Sequence, residues 1–258
     1  MRLTDVIAGI EQTAPLYAAA AWDVSGVQVA ARRQDVSRLA VCLDPTPAAV
    51  RAAVEQGADM VLSHHPLLLK ARLPAQLDAY HETLSLLFRQ DVALYAAHTS
   101  LDANTAGPAG WLAAELGISA PSLLETTAEA DGRRYGFGCC GNVAPCSLDD
   151  VVNTLRQHIS LDDAVFCGPV PERIRRVAYC TGSGASLLAA ASHCGADVYI
   201  TGDVKYHAAL DADICVLDVG HHSLEEEMMR RFAVSLSSQL TGIEVFFLPS
   251  ASPFHRVR

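Results

Sequence analysis

The sequence predicts an α/β fold of two similar lobes, each with a mixed, largely parallel sheet. Two observations carry that reading. Short apolar runs of strand length alternate with stretches of helical periodicity along most of the 258 residues, the alternation that builds helix-covered parallel sheets. The rhythm breaks once, in the polar segment ETTAEADGRR, and then resumes, which places a boundary or crossover between two lobes near Leu123 to Arg134.

Each element has its own signal. Thr4-Asp5 offers a helix cap, and Val6, Ile7 and Ile10 recur at helical spacing until Pro15. Arg38 to Asp44 is a strand-length run closed by Pro45 and Pro47, after which AAVRAAVEQG is helical and stops at Gly57. The unit recurs as a strand at Ala58 to Ser63 with a helix near 80 to 90, and as a strand at Val92 to Ala97 with a helix around Ala109 to Leu116. Past the polar break come a strand at Tyr135 to Val143, a helix at Leu148 to His158 capped by Ser147, and strands at Ala164 to Cys167 and Val177 to Cys180. TGSGASLLAAA then opens a helix, and strands follow at Val198 to Ile200 and Ile214 to Val219, with a helix from Ser223 to Arg231. The expected organisation is a first lobe over 1–124, a second over 125–222, and a C-terminal helix and strand over 223–258 returning to the first lobe.

Composition narrows the function classes. Half of the residues are hydrophobic, enough for a sizeable core. Net charge is -10, and the basic residues are scattered apart from Arg32-Arg33 and Arg173 to Arg176, so no basic face for a nucleic-acid backbone is expected. No apolar run has membrane-spanning length, and the N-terminal MRLTDVIAGIEQTAP lacks the apolar core of a leader. Eight cysteines, several of them single in apolar runs such as Cys42, Cys180, Cys194 and Cys215, read as reduced buried thiols in a cytoplasmic protein.

Histidines mark the chemistry. His64 and His65 follow MVLS, His98 follows ALYAA, and His221 follows CVLDVG; loops at the carboxyl ends of strands are where open α/β sheets meet ligands. Asp102 lies four residues after His98, and Glu225 four after His221, a spacing that puts both of the latter pair on one helix face. Locally each has an ordinary reading too: a loop histidine pair, a helix-capping Asp102, a solvated first-turn Glu225 in Glu225-Glu226-Glu227. Their joint placement after strands favours a mixed nitrogen and oxygen set of His64, His65, Asp102, His221 and Glu225, large enough for two divalent ions, with zinc, iron, manganese and nickel all compatible. His222 competes with His221, but only His221 stands four residues before Glu225. His98 is read either as a group orienting a carboxylate or as a direct contact to metal or substrate. Lys205 and His207 offer positive or proton-transferring groups, and the glycine-rich TGSGAS offers backbone amides to an anion.

The segments AAAWDVSGVQV, LSHHPLL, HTSLDA, TGSGASLL, DVYITGDVKYH and DVGHHSLEEE, in this order, resemble the Nif-three-like dinuclear metal-centre family, whose members are often labelled type-two GTP cyclohydrolase I homologues. The resemblance implies the same ligands: His64 and His65 from HHP, Asp102 from HTxLDA, and His221 and Glu225 from GHxxxE. Two positions depart from its pattern, Val24 after Trp22-Asp23 and His222 where an aromatic residue is common. The resemblance further implies a metal site between the lobes, a homohexameric ring, and GTP cyclohydrolase-type chemistry. The expected function is therefore that of a dinuclear metal-dependent hydrolase of a nucleotide-like or phosphorylated small molecule. A non-catalytic metal-binding, metal-storage or regulatory adaptor protein is the alternative.

Overall fold

Caps and prolines start the helices of the first unit. The Thr46 hydroxyl accepts from the Ala49 amide ahead of Pro47–Glu55 (α2), where Pro47 occupies a position whose N–H has no helical partner anyway. The Asp78 carboxylate accepts from the His81 amide ahead of Ala79–Gln90 (α3), and Leu3–Thr13 forms α1. The strands are Gly26–Val29 (β1), Arg38–Cys42 (β2), Met60–Ser63 (β3), Ala93–Ala96 (β4) and, near the C-terminus, Glu244–Phe247 (β11). Every residue of β3 and β4 is buried, as continuous apolar runs in a sheet covered on both faces require. The sheet order is β1-β4-β3-β2-β11. Its pairings are parallel except for β1 on β4. Val50 and Ala53 of α2 and Leu87 of α3 pack with Val61 and Leu94 in its core.

The computed structural model describes residues 1–254, and the chain divides into one compact unit of Met1–Leu101 with Met229–Arg258 and another of Asp102–Met228. The short helix Thr99–Asp102 (α4) ends where the second unit begins, and that unit holds helices Trp111–Glu115 (α5), Leu148–Arg156 (α6), Leu188–His193 (α7) and Tyr206–Leu210 (α8). Its six-stranded sheet runs β5-β6-β8-β9-β10-β7, the strands being Ser119–Ala130 (β5), Arg133–Cys146 (β6), Val165–Cys167 (β7), Ile174–Ser183 (β8), Val198–Gly202 (β9) and Cys215–Asp218 (β10). β8, β9 and β10 are parallel, and the other pairings are antiparallel. The last helix, His221–Gln239 (α9), starts directly after β10. Among the described residues no helix is long and apolar enough to cross a membrane.

Two expectations are corrected. The polar stretch near Leu123 to Arg134 is no break: β5 and β6 form a long hairpin turning at Asp131-Gly132, both at positive φ (51° and 71°), as the two-residue Asp-Gly hairpin requires. β5 is an edge strand with no fully buried residue, so an apolar alternation never forms there. The cysteines are not all thiols either. Cys140 of β6 and Cys194 at the end of α7 form a disulfide with Cα atoms 6.9 Å apart, a proximity created by folding across 54 residues of sequence.

Candidate metal centre

In the first unit, β3 and β4 end side by side and deliver three imidazoles. His64 and His65 directly follow β3, and His98 lies two residues past β4. Their ring centroids are 4.9 Å apart for His64 and His65, 5.2 Å for His64 and His98, and 5.6 Å for His65 and His98. One nitrogen from each can lie within 4.8 Å of the others, close enough to hold one cation. Each Nδ1 already has an oxygen acceptor. His64 is fully buried and donates to the Ala97 carbonyl at 2.8 Å, His65 pairs with Asp44 at 2.8 Å, and His98 pairs with Asp23 at 2.8 Å. In the neutral imidazole this makes Nε2 the lone-pair nitrogen, which is how metal-binding histidines are oriented. Asp23 also accepts from the Ser25 hydroxyl and from the hydroxyl and amide of Thr99. Burial would raise its carboxyl, but the His98, Ser25 and Thr99 hydrogen bonds outweigh that and hold it well below the usual carboxylate range.

The second unit assembles carboxylates around one imidazole. His221 opens α9, and its Nδ1 lies 2.7 Å from Asp203 while its Nε2 lies 2.9 Å from Glu225, one helical turn on. Glu225 is buried, only 4% exposed. Burial pulls the His221 imidazole down, but Glu225 and Asp203 together carry it up to about 9. Asp102 accepts a 3.1 Å hydrogen bond from Thr181, at the end of β8. The next residue, Gly182, has φ +60°, and a Cβ there would strike the Glu225 carboxylate and come within 3.3 Å of His221 Nε2. At the end of β9, a Cβ on Gly202 would run into the backbone of His221, so glycine lets α9 begin close against the strand. The two donor sets, imidazole nitrogen and carboxylate oxygen with fixed orientation, fit divalent transition-metal ions.

The remaining candidates sit elsewhere. His222 turns to Glu226 at 4.0 Å, while Asp203 and Glu225 face His221. Lys205 and His207 are exposed at the start of α8. The anion role of TGSGAS is not favoured, because Thr181 to Ser183 belong to β8 and the Gly184 amide donates to the Thr201 hydroxyl at 2.9 Å. Asp102 is the last residue of α4 and not part of a loop. Sequence reasoning missed Asp23, Asp44 and Asp203. Asp44 and Asp203 follow β2 and β9 directly or within two residues, so the strand-end rule that singled out the histidines reaches them as well.

A two-sheet α/β chain with oriented histidines and carboxylates at its strand ends belongs in the class of candidate metal proteins. The model of the Duf34/NIF3 (NGG1p interacting factor 3) family matches residues 1–253, and the chain belongs to that family. It is 30% identical to a GTP cyclohydrolase 1 type 2 homolog of Streptococcus pneumoniae serotype 4, covering 100% of both chains. The structure of a Bacillus cereus protein related to NIF3 superimposes with a TM-score of 0.88 at 20% identity, over 100% of this chain and 99% of that one, a likeness of fold alone. Reduced HcgD from Methanocaldococcus jannaschii gives 0.83 at 26% identity, over 96% and 98%.

Proposed function

We propose that the protein is a dinuclear metal-dependent hydrolase of a nucleotide-like or phosphorylated small molecule, with His64, His65, Asp102, His221 and Glu225 holding two divalent ions. One observation carries the reading: His64, His65 and His98 each have Nδ1 against an oxygen acceptor, which leaves Nε2 in the orientation that metal ligands need, while His221 is held by Asp203 on Nδ1 with Nε2 turned to the Glu225 carboxylate. In this reading the histidines would supply nitrogen ligands, and Asp102 and Glu225 would supply the carboxylate ligands. Divalent ions held by these residues would supply Lewis acidity for hydrolysis. Asp23, Asp44 and Asp203 keep the imidazoles in position, and His98 is a further nitrogen beside His64 and His65. GTP cyclohydrolase chemistry is the form suggested by the relatives' name. The reading includes a homohexameric ring in the cytoplasm.

A second reading is a metal-storage or regulatory protein without turnover: the histidine and carboxylate groups could hold a metal ion, while Lys205 and His207, the proton-transferring candidates, are exposed at the start of α8 in the single chain.

Elemental analysis of protein purified without added metal, then loaded in turn with zinc, iron, manganese and nickel, tests the first reading, together with a turnover screen across nucleotides and phosphoesters. About two ions per chain and metal-dependent turnover that Asp102→Asn abolishes are expected. Fewer than one ion after loading removes the dinuclear centre, and tight metal exchange with no turnover selects the second reading.

A further inference from the structure

We infer that the cavity beside His65 binds the anionic, phosphate-type end of the substrate, with Arg72 as the cation that recognises it; this rests on the hydrolase reading above. The cavity holds about 340 Å³ and lies wholly within the first unit, between the chain after β2, the chain after β3 and the start of α3. Strand-end loops of neighbouring parallel strands are where α/β folds bind small molecules. His65 and its partner Asp44 line the cavity together with Arg72 and Tyr80. The rest of the lining, two threonines apart, is proline, leucine and alanine. Mostly apolar walls with a few convergent polar groups are the composition of a ligand pocket.

Arg72 is held ready for an anion. Its guanidinium lies 4.7 Å from the Tyr80 ring centroid, and Nη2 donates to Asp78 at 2.7 Å. The planar guanidinium has further donors in its fork, and one already stacked and clamped loses little freedom in taking a second acceptor. Asp78 is not among the residues lining the cavity, whereas the lining acid, Asp44, is paired with His65. Arg72 therefore brings to the cavity wall a guanidinium whose carboxylate partner, Asp78, lies outside the lining, while the lining acid is held by His65. A substrate with its anionic group on Arg72 extends toward His65, one of the proposed metal ligands.

The test compares guanosine 5′-monophosphate with guanosine, which differ only in the phosphate, by calorimetry on the metal-loaded full chain. The monophosphate is expected to bind about tenfold tighter or more, the effect of one charge-assisted hydrogen bond. Arg72→Gln should bring the two probes within about twofold of each other, an effect of the same hydrogen bond. Asp78→Asn, which loosens the clamp but keeps the charge and a helix-capping side chain, should retain the preference. Four results overturn the inference: no detectable binding of the monophosphate, no preference for it in the wild type, a preference unchanged in Arg72→Gln, or equal losses in Arg72→Gln and Asp78→Asn. The last would make Arg72 a brace for its loop. Metal analysis of the same samples separates the two failures. Two ions without an Arg72-dependent preference sinks the anion site alone, and an Arg72-dependent preference without metal sinks the hydrolase reading alone.

Discussion

His221 and His222 are adjacent and chemically identical, yet their surroundings differ sharply. His221 stands between Asp203 at 2.7 Å and Glu225 at 2.9 Å, and His222 lies 4.0 Å from Glu226. His221→Ala should therefore lose far more metal than His222→Ala in elemental analysis, and equal losses would mean the wrong imidazole was assigned. The same two carboxylates give the metal-free protein a pH dependence. The His221 pKa is raised in the folded state from 6.5 to about 9, so the folded protein binds this proton more tightly than the unfolded chain does. Its contribution to stability is complete below about 6.5 and disappears as pH rises through about 9. Thermal midpoints of metal-free protein should accordingly fall across that window, and Asp203→Asn should flatten the fall. A midpoint that rises between those values contradicts the assignment.

At the scale of elements, close approaches decide which side chains can meet. The end of β8 passes Glu225 with only a hydrogen on Gly182, at φ +60°. Gly182→Ala should cost about 1–3 kcal/mol for the left-handed backbone alone, and it should also lower metal content by displacing the Glu225 carboxylate. Normal metal content in a folded Gly182→Ala protein would show that Glu225 lies outside the centre. The disulfide joins β6 to the end of α7 across 54 residues. Cys194→Ala should lower the free energy of unfolding by about 2–4 kcal/mol in urea titrations. Reductant should do the same to the wild type and leave the variant unchanged. The β5–β6 hairpin shows what local signals convey: most of β6 is legible as the strand at Tyr135 to Val143, whereas the Asp131-Gly132 turn, lying between an exposed edge strand and the charged Arg133-Arg134, reads as a break and β5 does not read as a strand at all.

For the whole molecule, Asp102→Asn tests whether site and fold are separable. Asn keeps an oxygen to accept from Thr181, and the residue ends the four-residue helix α4, where it is only partly buried. Soluble protein of unchanged oligomeric size with reduced metal content is expected by light scattering and elemental analysis; unfolding would make the role structural. Much of the frame was determined by sequence alone. The buried strands at Met60–Ser63 and Ala93–Ala96 and the capped α6 after Ser147 follow from apolar period and cap chemistry, which act over a few residues, and the helix expected from Ser223 to Arg231 lies within α9, which runs from His221 to Gln239. The fourth residue after His221 was legible as a partner for the same reason. Tertiary structure alone decided that Asp23 meets His98 across 75 residues, that Asp203 meets His221 across 18, that Arg72 and Tyr80 share a cavity with His65, and that Cys140 reaches Cys194. Such pairings depend on which strands become neighbours and how their ends align, and sheet order is set by packing between distant segments, which no local period encodes.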